Sequence, residues 1–336
     1  MQGMEARLDV RWGELEVFVI SDTLPSVTSV MYERIARGLM GTTEARDARV
    51  GAQEDVRAKC WRMREYFDIL QNCSVERGCH TALFLYCREV WIAEQNVPDD
   101  AGTSDAVEAA IEAMVNGAAV GDVVVSLVDR GLDIKSARKV CGIVSTALHI
   151  FVGDGVVAGA VAIDMPFVFM VHQKLMADLL PPDQIGVLRT TNLGSRCGRR
   201  YIAYEQVQNR LAALLAFVKA KRADIAEDTD LTTDFDRFYK LLVLGAFMLL
   251  EFLTIHPFVN GNGRTVRMLI ATLLADCVAV PMSLFRAGDG VSTNREAQLN
   301  LYIDALEKSR SGPPLAVVRW VIDCTVSHLF ELGDLM

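Results

Sequence analysis

The stretch Ile255-His256-Pro257-Phe258-Val259-Asn260-Gly261-Asn262-Gly263-Arg264-Thr265-Val266-Arg267 interrupts two apolar segments, 236–255 and 264–278, that both read as helices. Pro257 ends the first helix, because it has no N–H to donate and its ring clashes with the preceding turn. Gly261, Asn262 and Gly263 tolerate left-handed backbone angles, so successive N–H groups can converge on one concavity. That concavity lies at the N-terminus of the second helix, where unpaired N–H groups and the helix dipole favour an anion. Arg264 and Arg267 are three residues apart and share one helix face. Two guanidiniums beside an anion nest suit a polyphosphate. His256, at the end of the first helix, is the evident general base. A simple connector between helices needs neither His256 nor both arginines.

Helical patterns dominate the chain around this loop. From about residue 28 onward, apolar residues recur at three-to-five-residue steps. Ser104 reads as a helix cap with acidic residues after it, and Asp164 caps a helix from Met165 to Leu180 that Pro181-Pro182 stops. Further helices are predicted at 118–130, 135–152, 205–221 and 236–255. Two places break the pattern. Residues 9–20 alternate enough to predict a strand or two, and 186–204 read as two short strands around Gly194-Ser195. The polar run Gln95 to Gly102, with Pro98, predicts a boundary. The expected fold class is all-α: a helical core at 104–330 with a small β-hairpin flap, preceded by a mostly helical N-terminal region, 1–98, of unknown role.

The loop resembles the signature of the Fic family, His-x-Phe-x-(Asp/Glu)-Gly-Asn-Gly-Arg-x-x-Arg, at every defined position except the acidic one. His172-Gln173-Lys174-Leu175 followed by Gly186-Val187-Leu188-Arg189 looks like the helix and flap that precede this motif in the family. Tyr302, Leu306 and Gly312-Pro313 resemble its C-terminal part, so the likeness covers roughly 104–330. The resemblance implies a protein adenylyltransferase: His256 deprotonates a Ser, Thr or Tyr hydroxyl of a target protein, which attacks the α-phosphate of ATP. Asn260, Gly261, Asn262, Gly263 and Arg264 would hold the nucleotide, Arg267 would reach the γ-phosphate, and Tyr302 would lie at the nucleotide. Arg189, Thr190 and Thr191 would dock the target by strand addition. Mg²⁺ or Mn²⁺ would accompany the nucleotide.

Two positions depart from the family pattern. Asn260 stands where the family usually has the Asp or Glu that binds the metal, and a neutral amide is a weaker ligand for a hard cation. Arg310 falls where many members carry an Asn near the nucleotide base. Both leave open the transfer of another nucleotide or phosphate-containing group, or a catalytically weak nucleotide-binding regulatory role. Many members also restrain themselves with a helix of pattern (Ser/Thr)-x-x-x-Glu-(Gly/Asn). Ser104-x-x-x-Glu108 fits its first part, and Glu112 one turn later fits the spacing, so 104–115 is the candidate inhibitory helix, weighed against an ordinary helix with exposed glutamates.

Composition is consistent with this reading. A net charge of −9 gives no dense positive surface for a nucleic-acid backbone. The eight cysteines form no CxxC pair and several sit in apolar stretches, as free thiols of a reducing compartment such as the cytoplasm do. The N-terminus has charges throughout, unlike a secretory signal. The uncharged run Leu241 to Leu250 is short of the ~20 residues of a membrane span. The partners expected are a nucleotide and a hydroxyl-bearing protein, with a homodimer left open as the assembly.

Overall fold

The computed structural model describes residues 7–9, 11–12, 63–64, 67, 82–88, 90, 101–152, 161–194, 201–231, 233–278, 281–282, 295–312 and 314–335. The long helices among them are α1 (Ala101–Val115), α2 (Val120–Asp129), α3 (Ile134–Phe151), α4 (Met165–Met176), α5 (Val207–Glu227), α6 (Asp234–Ile255), α7 (Asn262–Leu274), α8 (Arg295–Ser311) and α9 (Leu315–Leu335).

Helix α6 is the axle of the fold. A reciprocal capping box starts it: the Asp236 N–H donates to Thr233 Oγ1 at 3.1 Å, and the Thr233 N–H donates to the Asp236 carboxylate at 3.2 Å. Beyond the first turn nearly every residue is apolar and buried, as a helix that is hydrophobic all round must be. It is the one described helix long and apolar enough to cross a membrane, yet 89% of its apolar window is buried inside the protein. Around it pack α5, α7, α8 and α9, while α4 and α3 close over α7 from the other side. The α6–α7 contact is close because Gly245 is bare: a Cβ there would lie 2.8 Å from Ile270 Cγ2.

The described part of the N-terminal region joins this same core. Trp12 is 2% exposed and meets Phe217 and Phe247 edge-on, at 6.1 and 5.9 Å between ring centroids. Phe67 packs on Phe235 and Phe238. Arg11 pairs with the buried Glu251 of α6 and donates to the Ser309 carbonyl at 2.7 Å.

Three expectations change. Residues 7–9 and 11–12 are helical, not extended; Leu8 and Trp12, four apart, are both buried, which is helix spacing. Residues 13–20 lie outside the described set. Ser104 sits inside α1, which begins at Ala101, so it is not the cap. The flap over 186–204 has no strands among its described residues. It shows a single bridge, with the Tyr201 N–H donating to the Leu193 carbonyl at 3.2 Å; residues 195–200 lie outside the described set. The physical reason is Arg189, whose guanidinium takes the Thr191 and Ile202 carbonyls and so organises the segment by a side chain instead of a ladder.

Candidate active site

The loop between α6 and α7 is shaped by three local devices. His256 ends α6 in a left-handed conformation (φ 52°, ψ 63°), which turns the chain although the residue is not glycine. Gly261 caps α7 at φ 77°; a Cβ there would stand 2.5 Å from Met176 Sδ, so only glycine fits. Asn262 staples the loop across its width: its Oδ1 accepts from the Phe258 N–H at 2.9 Å and its Nδ2 donates to the Phe258 carbonyl at 2.8 Å. Phe258 itself is fully buried and stacks flat on His172, 3.8 Å between centroids.

His172, noted in the sequence only as part of α4, is the lock on this loop. Its Nδ1 accepts from the Gly186 N–H at 2.8 Å, so Nε2 carries the proton and donates to the Asn260 carbonyl at 3.0 Å. Burial holds its pKa down at about 4, with the Asn260 carbonyl opposing and Arg264 adding to the shift. No local sequence signal marks this role, because both partners are backbone atoms.

At the N-terminus of α7 the first backbone bond is Thr265 N–H to the Gly261 carbonyl, at 2.9 Å. The N–H groups of Asn262, Gly263 and Arg264 precede it and have no carbonyl within the helix. Arg264 and Arg267 rise from the same turn, 4% and 7% exposed. Arg264 donates to the Leu175 carbonyl at 3.5 Å, and the Arg267 guanidinium lies 5.0 Å from the Tyr302 ring centroid on α8. An anion placed here meets a helix N-terminus and two cations that the fold already holds in place.

His256 precedes this nest in the same loop, its ring stacked on Tyr201 at 3.9 Å. Burial first, then the Arg189 guanidinium, then Arg310 push its pKa down to about 4, with the Leu253 carbonyl acting the other way. At neutral pH the imidazole is uncharged and able to take a proton.

The other expected residues divide. Thr190 and Thr191 are exposed and available for docking, but Arg189 is 3% exposed and its guanidinium is engaged by carbonyls, so it is not a docking side chain. Glu108 and Glu112 are both exposed on α1, which packs on α2 and α3, whereas the helix of Arg267 packs on α6, α4 and α3. Both glutamates are exposed, as on an ordinary helix face. Arg310 donates to the Leu253 carbonyl, to Thr254 and to Glu307, and thereby belongs to the end of α6. Asn260 is exposed at the loop tip, and its Oδ1 accepts from the Gly261 N–H at 2.7 Å. A divalent cation at this position would find one neutral oxygen already engaged, so the residues present do not fit a protein-held metal.

Residues 162–274, which span α4 through α7, match the Fic/DOC family. That stretch, about a third of the chain, is similar to a Fic/DOC domain. A curated relative, Protein adenylyltransferase Fic from Drosophila yakuba, is 37% identical over 75 residues, 22% of this chain and 13% of that relative's length. The fold is similar to that of solved Fic proteins over most of the chain. Fic-1 from C. elegans superposes with a TM-score of 0.54 at 17% identity, covering 91% of this chain and 80% of that one. A Fic family protein from Desulfovibrio desulfuricans gives 0.53 at 15% identity, over 82% of this chain and 74% of that one. In this Fic/DOC-like stretch the motif loop joins α6 and α7, and α4 supplies the lock.

Proposed function

We propose that the chain is a protein adenylyltransferase. The observation that carries this reading is the adjacency, within one loop, of a half-buried neutral imidazole and an anion nest flanked by two buried arginines. His256 takes the proton of a Ser, Thr or Tyr hydroxyl on the target protein. The hydroxyl oxygen bonds to the α-phosphorus of ATP, and the bond from that phosphorus to the pyrophosphate oxygen breaks. The N–H groups at the start of α7, with Arg264, hold the phosphates, and Arg267 meets the far end of the chain of phosphates. Pyrophosphate leaves with its negative charge balanced by these groups. Thr190 and Thr191 present an exposed segment to the target, with the Thr191 carbonyl held by Arg189. The match to a relative named an adenylyltransferase supports AMP as the group moved.

A second reading, transfer of a different nucleotide or phosphate-containing group, is favoured by Asn260 and by Arg310. The first supplies no charge for a cation on the nucleotide, and the second occupies the end of α6. The experiment separates them: incubate the protein and a lysate with ATP, CTP, GTP or UTP labelled at the α-phosphate, or ATP labelled at the γ-phosphate, beside a His256→Ala control. Protein-bound label from α-labelled ATP alone, reduced ~10²–10⁴-fold in His256→Ala, is the expected result. Label from another donor moves the assignment to the second reading. Equal labelling by His256→Ala overturns the mechanism.

A further inference from the structure

We propose that Arg189 and Arg310 are positioning residues that together cap the C-terminal turn of α6 and hold His256 in its left-handed conformation. The proposal rests on the reading of His256 as the base. A helix end leaves its last four carbonyls without intrahelical partners, and a left-handed residue there is ordinarily glycine. In this chain the position belongs to histidine, and the carbonyls are taken by two guanidiniums from distant elements. Arg189 Nε donates to the His256 carbonyl at 2.8 Å and its Nη2 to the Ile255 carbonyl at 3.3 Å. The Arg189 backbone N–H donates to the Pro257 carbonyl at 2.9 Å. Arg310 Nη2 donates to the Leu253 carbonyl at 3.0 Å and its Nε to Thr254 Oγ1 at 3.3 Å. The turn that aims the imidazole is thus gripped from both sides. A positive charge is also favourable at this end of a helix.

The same arrangement acts on the imidazole's proton. The charged and titratable groups around it are Arg189 and Arg310, Glu307 paired with Arg310, Glu205 acting on Arg189, and Tyr201 on its ring face. One turn back along α6 stands the Glu251–Arg11 pair. Both guanidiniums disfavour an imidazolium beside them, so the cap that fixes the geometry also keeps the base unprotonated. Arg189 supplies a fork that a lysine cannot reproduce, while Arg310→Gln removes the charge together with the reach to the Leu253 carbonyl.

The test uses the full chain in wild-type, Arg189→Lys and Arg310→Gln forms. Chemical denaturation establishes which variants fold. The His256 imidazole is titrated by nitrogen-detected NMR, assigned with His256→Ala, and label transfer is followed against pH. In Arg310→Gln the His256 midpoint should rise by about half a pH unit or more, and the acid limb of transfer should rise with it. In Arg189→Lys the charge remains but the fork is lost, so kcat should fall ~10-fold or more at nearly unchanged KM for the nucleotide. A midpoint unmoved in Arg310→Gln, or a kcat unmoved in a folded Arg189→Lys, overturns the proposal. If Arg189→Lys does not fold, the Arg310→Gln midpoint decides. If the wild type transfers nothing, the transferase reading fails and the NMR midpoint still decides the positioning role.

Discussion

At the scale of single residues, two side chains of the loop make opposite forecasts. Asn260 is exposed and its side chain holds the adjoining Gly261 N–H, so Asn260→Asp changes charge with little strain. A carboxylate there should bind Mg²⁺ more tightly than the amide does, lowering the Mg²⁺ concentration at which transfer is half-maximal. Titrating Mg²⁺ in both proteins reads this directly; equal half-maximal concentrations would show that the position does not meet the metal. His172, in contrast, is buried and bound on both nitrogens. The unfolded chain takes up its proton near pH 6.5, whereas the folded protein resists until about 4. Its stabilising effect is therefore complete above pH ~6.5 and declines as pH falls through that interval, by up to about 3 kcal/mol. Urea midpoints measured from pH 7 to 4 should fall more steeply in the wild type than in His172→Gln.

Between elements, the decisive contact is the one between α6 and α7, since these two helices carry His256 and the arginines. Gly245 lets them approach, and a methyl there would press on Ile270 Cγ2, a branch fixed close to its own backbone. Gly245→Ala should destabilise the protein by ~1–3 kcal/mol, although alanine is the better helix former by about 1 kcal/mol. Thermal melts check the sign; a stabilised variant would mean that Ile270 yields freely. The helices themselves were legible because their apolar residues recur at helical spacing. Among the flap's described residues no strand forms, and residues 195–200 lie outside the described set. Thr190, Thr191, Tyr201 and Ile202 are good strand formers, but the carbonyls of Thr191 and Ile202 are drawn to the guanidinium of Arg189. Strand propensity in a sequence cannot foresee a competitor for its carbonyls.

For the whole molecule, the site was readable where its parts are neighbours in sequence and hidden where they are not. His256 through Arg267 are contiguous in sequence, and His256, Asn260, Asn262, Arg264 and Arg267 carry polar or charged side chains. His172, Arg189 and Arg310 act on backbone atoms far along the chain, and backbone atoms leave no mark in a sequence. The N-terminal region was likewise silent until Trp12 was seen between Phe217 and Phe247, and Arg11 on Glu251. Trp12→Ala should cost ~3–5 kcal/mol, read as a lowered urea midpoint. Arg11→Ala, which leaves Glu251 buried and unpaired, should also destabilise by ~3–5 kcal/mol. Wild-type midpoints in both would mean that this segment merely rests on the core.

The distant grip on the loop also has a consequence in time. His172 reaches Asn260 across 88 residues, Arg189 reaches His256 across 67, and Arg310 reaches Leu253 across 57. Contacts of such separation form only after the intervening chain has been ordered, since the entropy of closing those loops comes first. The helices can therefore assemble before the motif loop takes its shape, and a newly made chain is compact before that loop is set. Bonds formed that late are absent from the folding transition state, so weakening them should hasten unfolding and leave the refolding rate nearly unchanged.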